Sequence, residues 1–457
     1  MKIEDLLTRP EGKTLEFKQD LSVPKNILKT VTAFANTAGG IVLIGVEDGT
    51  RAVLGIENPL DDEERLCSLI ADSIEPRLAP DVAIVNWKGR ALLAVEVYPS
   101  ALRPHWLKAQ GMEKGVLVRV GSTNRQADGP LRAEMRRSAL NLAYDEEPMP
   151  DINPDKLDVR VASGLFAGLR EWTRGTAETL TLVTRHQGRL VPTVGGVLLF
   201  GSVRERCFPD AWIQCGRFRG TNKAAIIDQR DIRDHLPLAL EQAFGFVKKH
   251  AMQAAEFGEL RRKDVWNMPL EAVREALINA IVHADYSQIG APIRVAIFDN
   301  RIEIENPGLL TGGLTIDNLR AGLSKLRNRV IGRVFKELNL IEQWGSGFQR
   351  MQASCKQGNF PDPEFEELGY HFRVTFSLVR QPKPADNPVD MKILGFLNLC
   401  QDQGGASVKE LAEATGLVDR SVRRRLARLI KAGKIVAVGK SAYDPNKRYL
   451  PAKEPSA

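Results

Sequence analysis

Hydrophobic residues in the first part of the chain follow helical spacing and then strand spacing. Over residues 25–36, apolar side chains such as Ile27 and Phe34 recur every three to four positions, which predicts a helix that ends at the glycine pair 39–40. The apolar run after this pair predicts a buried strand at 41–46, and we predict further strands at 82–86, 91–97 and 116–120. This block is therefore expected to mix α and β structure.

The middle of the chain contains segments with helical spacing of apolar residues and segments with the pattern of strands. Residues 236–255 and 270–284 show the apolar spacing of helices. A tight Asp299-Asn300 turn separates two predicted strands, at 293–298 and 301–305. The short continuous apolar run at 196–200 also predicts a buried strand.

The last part of the chain has the pattern of a winged helix-turn-helix. Ser407 and Glu410 form a capping box at the start of one predicted helix, and Gly416 lies in the turn before the next. Strands at 434–440 and 447–450 would form the wing. The second helix has an apolar stripe formed by Val422, Leu426, Leu429 and Ile430, and an opposite basic face formed by Arg420, Arg424, Arg428 and Lys431.

Two proline-rich stretches divide the chain. Residues 381–388 hold three prolines and no apolar periodicity, as expected of a linker, and a second proline-rich and acidic stretch lies at 144–154. We therefore predict three domains, at residues 1–145, 150–380 and 389–457.

Composition and charge restrict the class of protein. At 457 residues, with 43% hydrophobic and 26% charged residues, the chain has an ordinary globular composition, with no apolar run long enough to cross a membrane. The acidic start and five scattered cysteines indicate a cytoplasmic protein. Residues 391–457 contain 13 Lys and Arg against 6 Asp and Glu, which accounts for the whole net charge of +7. This local excess favours an anionic partner, and DNA fits a basic helix of groove size best. A protein-binding winged helix with a solvated basic face is the alternative.

Three ordered motifs in the first block resemble the Schlafen AlbA-type domain. They are Glu11-Gly-Lys-Thr-Leu-Glu16-Phe-Lys18, the stretch from Thr32 through Gly40 to Gly49, and Val118-Arg119-Val-Gly-Ser-Thr-Asn-Arg125. The resemblance implies either nucleic-acid binding, as in bacterial regulators, or metal-dependent RNA cleavage, as in animal Schlafens. Carboxylates that hold divalent metal ions are needed for cleavage. The residues that match are the acids Glu11 and Glu16, with Asp48 or its neighbour Glu47 as the third acid, and Lys18, Arg119 and Arg125 as contacts to nucleic acid. The alternative is that these acids only pair or turn the chain.

Glu275 and Asn279 lie four residues apart on the predicted helix 270–284 and therefore project from one face. The surrounding sequence, with Asn306-Pro307-Gly308 and Gly345-Ser346-Gly347, resembles the ATP-binding carboxy-terminal domain of RecG-like regulators, a divergent GHKL-type α/β sandwich. The resemblance implies a site for ATP and Mg²⁺ formed by Glu275, Asn279, Gly308, Gly345 and Gly347, with Asn279 as a metal ligand. The family's adenine-binding aspartate is absent here, and ordinary turns would also explain the glycines. His283, one turn beyond Asn279, is predicted to lie on the surface.

Other enzyme classes find less support in the sequence. Two short Gly-Lys-Thr/Ser stretches, at Gly12 and Gly439, lack the glycine spacing of a phosphate-binding loop, so no helicase motor is predicted. We expect a DNA-binding transcriptional regulator, acting as a homodimer, in which bound nucleotide biases the arrangement of the domains. The alternative is a metal-dependent nuclease of RNA or DNA, with phage defence as one role for it. A scaffold that binds neither ligand is a third interpretation.

Overall fold

The structure is a computed structural model that describes residues 3–251, 253–257, 262–341, 346–379, 388–400, 404–431, 434–438 and 447–452. Its internal contacts divide the chain into two compact units, Met1–Arg380 and Gln381–Ala457. None of the described helices is both long and apolar enough to cross a membrane.

The first part of unit 1 is a four-stranded sheet covered by helices. Its strands run in the order β1-β2-β5-β4, with β1 parallel to β2 and the other neighbours antiparallel. The helices are α1 (Ile3–Thr8), α2 (Pro24–Asn36), α3 (Pro59–Ser73), α4 (Gly111–Lys114) and α5 (Gly129–Ala139). The strands are β1 (Leu15–Lys18), β2 (Gly40–Ile44), β3 (Ile74–Glu75), β4 (Asp81–Trp87), β5 (Arg90–Val97), β6 (Trp106–Leu107), β7 (Leu117–Val120) and β8 (Thr123–Gln126). The helix and strands predicted from the pattern in this block are present, with ends shifted by one or two residues.

Tight packing between α2 and the start of β2 explains why residue 40 is a glycine. Pro24 starts the helix, where its missing N–H costs nothing, and Ile27 and Phe34 are fully buried. A Cβ on Gly40 would lie 2.8 Å from the Thr14 carbonyl oxygen, and the φ of Gly40 is +156°. Only glycine allows β2 to start this close to the strand beside it.

The rest of unit 1 is built on a six-stranded sheet in the order β12-β11-β15-β16-β18-β17, in which β11 and β15 are parallel and the other neighbours antiparallel. The helices are α6 (Val159–Phe166), α7 (Arg174–Thr179), α8 (Val194–Phe200), α9 (Arg204–Cys207), α10 (Leu236–His250), α11 (Leu270–His283), α12 (Ile316–Arg320), α13 (Arg329–Glu337) and α14 (Gly347–Gln357). The strands are β9 (Val183–His186), β10 (Arg189–Pro192), β11 (Ile213–Phe218), β12 (Ile226–Ile232), β13 (Gln253–Phe257), β14 (Arg262–Trp266), β15 (Ile293–Ile297), β16 (Arg301–Pro307), β17 (Glu364–Leu368) and β18 (His371–Ser377). Helices α8, α10 and α11 share one hydrophobic core with this sheet.

Two element predictions in this part were wrong. Residues 196–200 belong to helix α8, whose first turn is capped by the Thr193 hydroxyl accepting from the Gly196 N–H at 3.0 Å. All seven residues of α8 are buried, so its sequence has no polar face, and a short apolar run of this kind does not distinguish helix from strand. The predicted helix 236–255 ends at His250, and its last residues enter strand β13.

Unit 2 has the predicted winged helix-turn-helix elements. They are α15 (Pro388–Leu399), α16 (Val408–Thr415), α17 (Asp419–Lys431), β19 (Ile435–Val438) and β20 (Arg448–Pro451), with β19 antiparallel to β20. The Ser407 and Glu410 side chains form the capping box, and Gly416 ends α16 in the left-handed conformation with φ +69°. The core contains Val422, Leu426 and Leu429, but Ile430 is 40% exposed, so its assignment to the apolar stripe was wrong.

Candidate functional sites

A cavity of about 410 Å³ lies in the second part of unit 1. Its walls are α11, the strands β16, β17 and β18, the start of α14, and the segment 308–327 between β16 and α13, which we name the wall segment. The apolar residues of the lining include Ile304, Leu309, Leu314, Leu323, Phe348, Met351, Phe365 and Phe372. The polar lining residues include Glu275, Asn279, His283, Asn306, Thr311, Lys325 and Arg327. A mainly apolar cavity with a few converging polar groups is typical of small-molecule sites.

The cavity brings together four of the five residues proposed for the nucleotide. Glu275 and Asn279 project from one face of α11, as their spacing predicts, and Gly308 and Gly347 lie opposite them in the lining. A Cβ on Gly347 would lie 2.4 Å from Glu275 Oε1 and 3.5 Å from Asn279 Nδ2, so α14 begins directly against α11. The Glu275 carboxylate also pairs with Arg350, at 3.0 Å from Nη2. Gly345 lies outside the described residues.

Gly308 allows a buried arginine to reach the cavity wall. Its φ is +105°, and a Cβ there would lie 2.8 Å from Arg327 Nη2. Arg327 donates to the Leu309 carbonyl and to the Glu134 carboxylate, and Asp285 lies 3.9 Å away. The sequence pattern did not indicate a role for Arg327, because the residues that it contacts are distant in sequence.

His283 also lines the cavity, so its assignment to the surface was wrong. Burial, with the positive charge of Arg327 beside it, lowers the pKa of His283 to about 4. The imidazole is therefore neutral at physiological pH. His283 lies four residues after Asn279, and helical spacing puts residues four apart on the same face. This spacing was the feature of the sequence that indicated the cavity position.

The proposed nuclease acids lie around strand β1 and the turn after β2. Glu11 Oε1 accepts from the Phe17 N–H at 2.7 Å, and Glu16 is 8% exposed. Burial raises the pKa of Glu11; the Phe17 hydrogen bond opposes this shift, and the charges of Glu16 and Asp48 add to it. Asp48 is exposed in a turn closed by the Val46 and Val53 bridge. The three acids are therefore near enough to interact electrostatically.

The Glu16 carboxylate already forms ion pairs with two cationic side chains. Glu16 Oε1 lies 2.6 Å from Lys18 Nζ, and Glu16 Oε2 pairs with Arg119. Arg119 is 1% exposed and also donates to the Gly12 carbonyl at 3.0 Å and to Asn124 Oδ1 at 2.9 Å. Its guanidinium therefore holds this part of the fold together and is not presented to nucleic acid, whereas Arg125 is exposed. Within the described ranges, no group of three His, Cys, Asp or Glu side chains is arranged to hold a metal ion.

Helix α17 presents a row of arginines on the side away from its core. Arg420 and Arg424 are exposed, as predicted, and Arg423 beside them is 68% exposed in its side chain. Arg428 is also exposed but shares the Asp390 carboxylate with Arg425, which lies 2.7 Å from Asp390 Oδ1. The sequence pattern did not identify Arg423 or the Asp390 pair. The side chain of Lys431 lies outside the described part of the structure.

The Asp390 carboxylate is almost fully buried, with 5% side-chain exposure. Burial alone would raise its pKa, but the hydrogen bonds and charges of Arg425 and Arg428 outweigh burial and hold the pKa below the usual value. Asp390 is therefore ionised at neutral pH and links α15 to α17.

Three family models match the chain. Residues 11–128 match the family described as "Schlafen, AlbA_2". Residues 290–376 match "Putative ATP-dependent DNA helicase recG C-terminal", and residues 386–436 match "Winged helix-turn-helix DNA-binding". Helix α11, which carries Glu275 and Asn279, precedes the second matched region.

Two solved structures are similar. The DIP2311 protein from Corynebacterium diphtheriae is 19% identical, with 98% of this chain and 96% of that chain covered and a TM-score of 0.44. The N-terminal domain of a RecG-related protein from Nitrosomonas europaea is 26% identical, with 28% of this chain and 94% of that chain covered and a TM-score of 0.23. The chain thus carries, in order, a Schlafen AlbA_2 segment, an ATPase-like segment of the recG C-terminal type and a winged helix-turn-helix, which confirms the resemblances and the mixed α and β multidomain fold class predicted from the sequence.

Proposed function

We propose that this chain is a DNA-binding transcriptional regulator and that a nucleotide bound in the cavity biases its DNA-binding state. The observation that carries the proposal is the division of α17 into two faces. Val422 and Leu426 are buried in the core of unit 2, and Arg420 and Arg424 are exposed on the other side. A helix that packs on one face and is cationic on the other is suited to a DNA groove, where each contact with phosphate releases a counterion.

The cavity supports a nucleotide as the ligand. Its volume lies within the range of about 300–1,000 Å³ that is usual for small-molecule sites. The apolar lining would bury a base. Asn279, together with the nucleotide's own phosphates, would hold Mg²⁺, which neutralises phosphate charge. A ligand of this kind shifts the DNA-binding equilibrium only if it binds one conformation more tightly than another.

A symmetric dimer completes the proposal. Helix-turn-helix regulators commonly read two half-sites related by twofold symmetry, and a homodimer matches that arrangement. Sedimentation velocity of the full chain with and without duplex measures this directly, and a monomer under both conditions would remove the dimer from the proposal.

Thermal unfolding tests whether the chain binds a nucleotide, and titration with a duplex tests whether it binds DNA. Saturating ATP at about 100 times its Kd should stabilise the wild-type chain by about 2.7 kcal/mol. Asn279→Ala should lose this shift, and Asn26→Ala, an exposed asparagine on α2, should keep it. No shift in the wild type at millimolar ATP would exclude the nucleotide, and no binding of mixed-sequence duplex would exclude the regulator.

Metal-dependent nuclease activity is a second candidate function. The supporting observation is that Glu11 Oε1 accepts from the Phe17 N–H at 2.7 Å, which places the Glu11 carboxylate beside the backbone of β1 that carries Glu16. A bound metal would have to compete with Lys18 and Arg119 for Glu16, which is why we place this function second. Incubation with labelled tRNA and duplex DNA in Mg²⁺ or Mn²⁺ separates the two functions. Cleavage that is lost in Glu16→Ala would favour the nuclease.

A further inference from the structure

The outer edge of β12 is an exposed strand edge that carries two exposed isoleucines. β12 is the end strand of the six-stranded sheet and pairs with β11 on one side, and no described strand pairs with its other side. Ile226 and Ile227 are 56% and 51% exposed, and Gln229, Arg230 and Asp231 are exposed as well. An unpaired edge offers backbone N–H and C=O groups to a further strand. The edge of β12 is therefore a surface on which another strand can dock.

The charges of β12 are complementary to those of a second copy of the same strand. A twofold axis pairs two antiparallel copies about one central residue, which faces itself. With Gln229 at the centre, Asp228 faces Arg230 of the second copy on both sides of the axis. Because β12 runs from Ile226 to Ile232, this centre allows all seven residues to pair. Opposite charges directly across a strand pair stabilise the pairing.

Other registers of two β12 strands are less favourable. A centre at Asp228, Arg230 or Asp231 places like charges directly opposite each other, which destabilises a strand pair. A centre at Ile227 falls on the irregularity where the register of β12 against β11 shifts. In the register centred on Gln229, this irregularity lies two residues from the axis. The sequence of β12 therefore favours one register of self-pairing over the others.

The two charged side chains lie on the same face of the sheet, as the pairing requires. Asp228 Oδ2 lies 2.8 Å from both Lys249 Nζ and His250 Nε2, at the end of α10. Arg230 Nη2 donates to Gln242 Oε1 on the same helix at 3.1 Å. No carboxylate of the described residues forms an ion pair with Arg230. Its guanidinium is therefore available to the Asp228 carboxylate of a second copy.

The other sheet edges of unit 1 do not have this complementarity. β17, at the opposite end of the six-stranded sheet, carries Glu364, Glu366 and Glu367, so a second copy would bring glutamates together. In the four-stranded sheet, the edge strand β1 is short and mostly buried. The other edge strand, β4, is exposed but carries Asp81 as its one charged residue, so no charge pair selects a register there.

We propose that two copies of this chain pair through β12, antiparallel and in the register centred on Gln229, so that their six-stranded sheets form one continuous sheet. The inference rests on the proposed function, because it assigns an interface to the homodimer proposed there. A strand pair of seven residues is a small interface, so the dimer should dissociate on dilution.

Disulfide trapping in the full chain tests the register. All proteins carry Cys67→Ser, which removes an exposed cysteine, and copper phenanthroline is the oxidant. Gln229→Cys should give mainly cross-linked dimer, because directly opposed residues have Cα atoms about 4.5–5.5 Å apart, within the range of disulfides. Glu364→Cys on β17 and Ile84→Cys on β4 are matched controls at exposed positions of other edges, and both should stay mainly monomeric. A monomeric Gln229→Cys, or a control that cross-links as completely, would overturn the interface.

Sedimentation velocity of full chains tests the charge pairing. Arg230→Asp and Asp228→Arg each place like charges opposite one another, so each variant alone should dimerise about 10-fold more weakly than the wild type. An equal mixture should form a heterodimer, because the two acids of one variant then face the two arginines of the other. Misfolding of either variant would not be reversed by mixing. Arg189→Asp, at an exposed arginine on β10, is the control and should dimerise like the wild type.

The outcomes separate the interface from the homodimer itself. A dimeric wild type whose dimer is unchanged in Arg230→Asp would overturn pairing through β12 and leave the proposed homodimer standing. A mixture that is as monomeric as its two components would also overturn this pairing. A wild type that is monomeric at every concentration would instead remove the homodimer from the proposed function, and the interface with it.

Discussion

Salt should weaken DNA binding by unit 2 in proportion to the number of phosphates that α17 contacts. Arg420, Arg423 and Arg424 are the exposed arginines of α17 other than Arg428, which is bound to Asp390. If each of the three neutralises one phosphate, the slope of log K against log salt should be about −2.7, from about −0.9 per contact. Arg420→Gln with Arg424→Gln leaves one contact, so the slope should fall to about −0.9.

Fluorescence anisotropy with a labelled duplex of mixed sequence measures this slope. Between about 50 and 200 mM salt, the wild-type affinity should fall about 40-fold and that of the double variant only about 3-fold. The matched control is Arg185→Gln with Arg189→Gln, at two exposed arginines on the β9 and β10 hairpin of unit 1. A slope that is equal in the double variant and the wild type would refute the assignment of DNA contacts to α17.

Three further predictions concern stability. Asp390→Ala should destabilise unit 2 by about 2 kcal/mol, because Arg425 loses its buried carboxylate. Since the pKa of Asp390 is lowered from 3.8, the stabilisation is complete above about pH 4 and is lost as pH falls through the folded pKa. Gly308→Ala should lower the melting temperature and the affinity of the cavity, because its Cβ would meet Arg327. Asp145→Ala should cost about 3 kcal/mol, since this buried carboxylate accepts from three N–H groups at the start of α13.

Denaturant unfolding and calorimetry check these values. For Asp390, equal acid sensitivity of the wild type and Asp390→Ala would contradict the linkage. Gly369→Ala is the control for Gly308, because Gly369 has a φ of +59° but open space around its Cβ. If both glycine variants lose the same stability, backbone strain alone explains the result and the contact with Arg327 does not. A loss below about 1 kcal/mol in Asp145→Ala would show that water replaces the carboxylate.

Local signals in the sequence located much of the fold and part of the site. The capping box at Ser407 depends on residues three apart, and the shared face of Glu275 and Asn279 depends on helical geometry, so both were visible in the pattern. The helix at α8 was missed because burial on every side removes the periodicity that distinguishes helix from strand.

Contacts between distant residues had no such signal. The partners of Arg119 and Arg327 include carboxylates more than a hundred residues away, and only the fold brings them together. The basic motif around Arg119 therefore predicted a surface contact where the structure has a buried one. Similarly, nothing near Lys13 in sequence indicated that Glu367 is its partner.

The pairing of Asp390 has a consequence for how unit 2 meets a duplex. This carboxylate stands in the first turn of α15, yet it holds Arg428 on the helix proposed to enter the groove. Arg428 is still 63% exposed, so releasing it from Asp390 would make a fourth guanidinium available without refolding. A rotation of α15, at the point where the chain enters unit 2, would thus change the number of charges offered to the phosphate backbone.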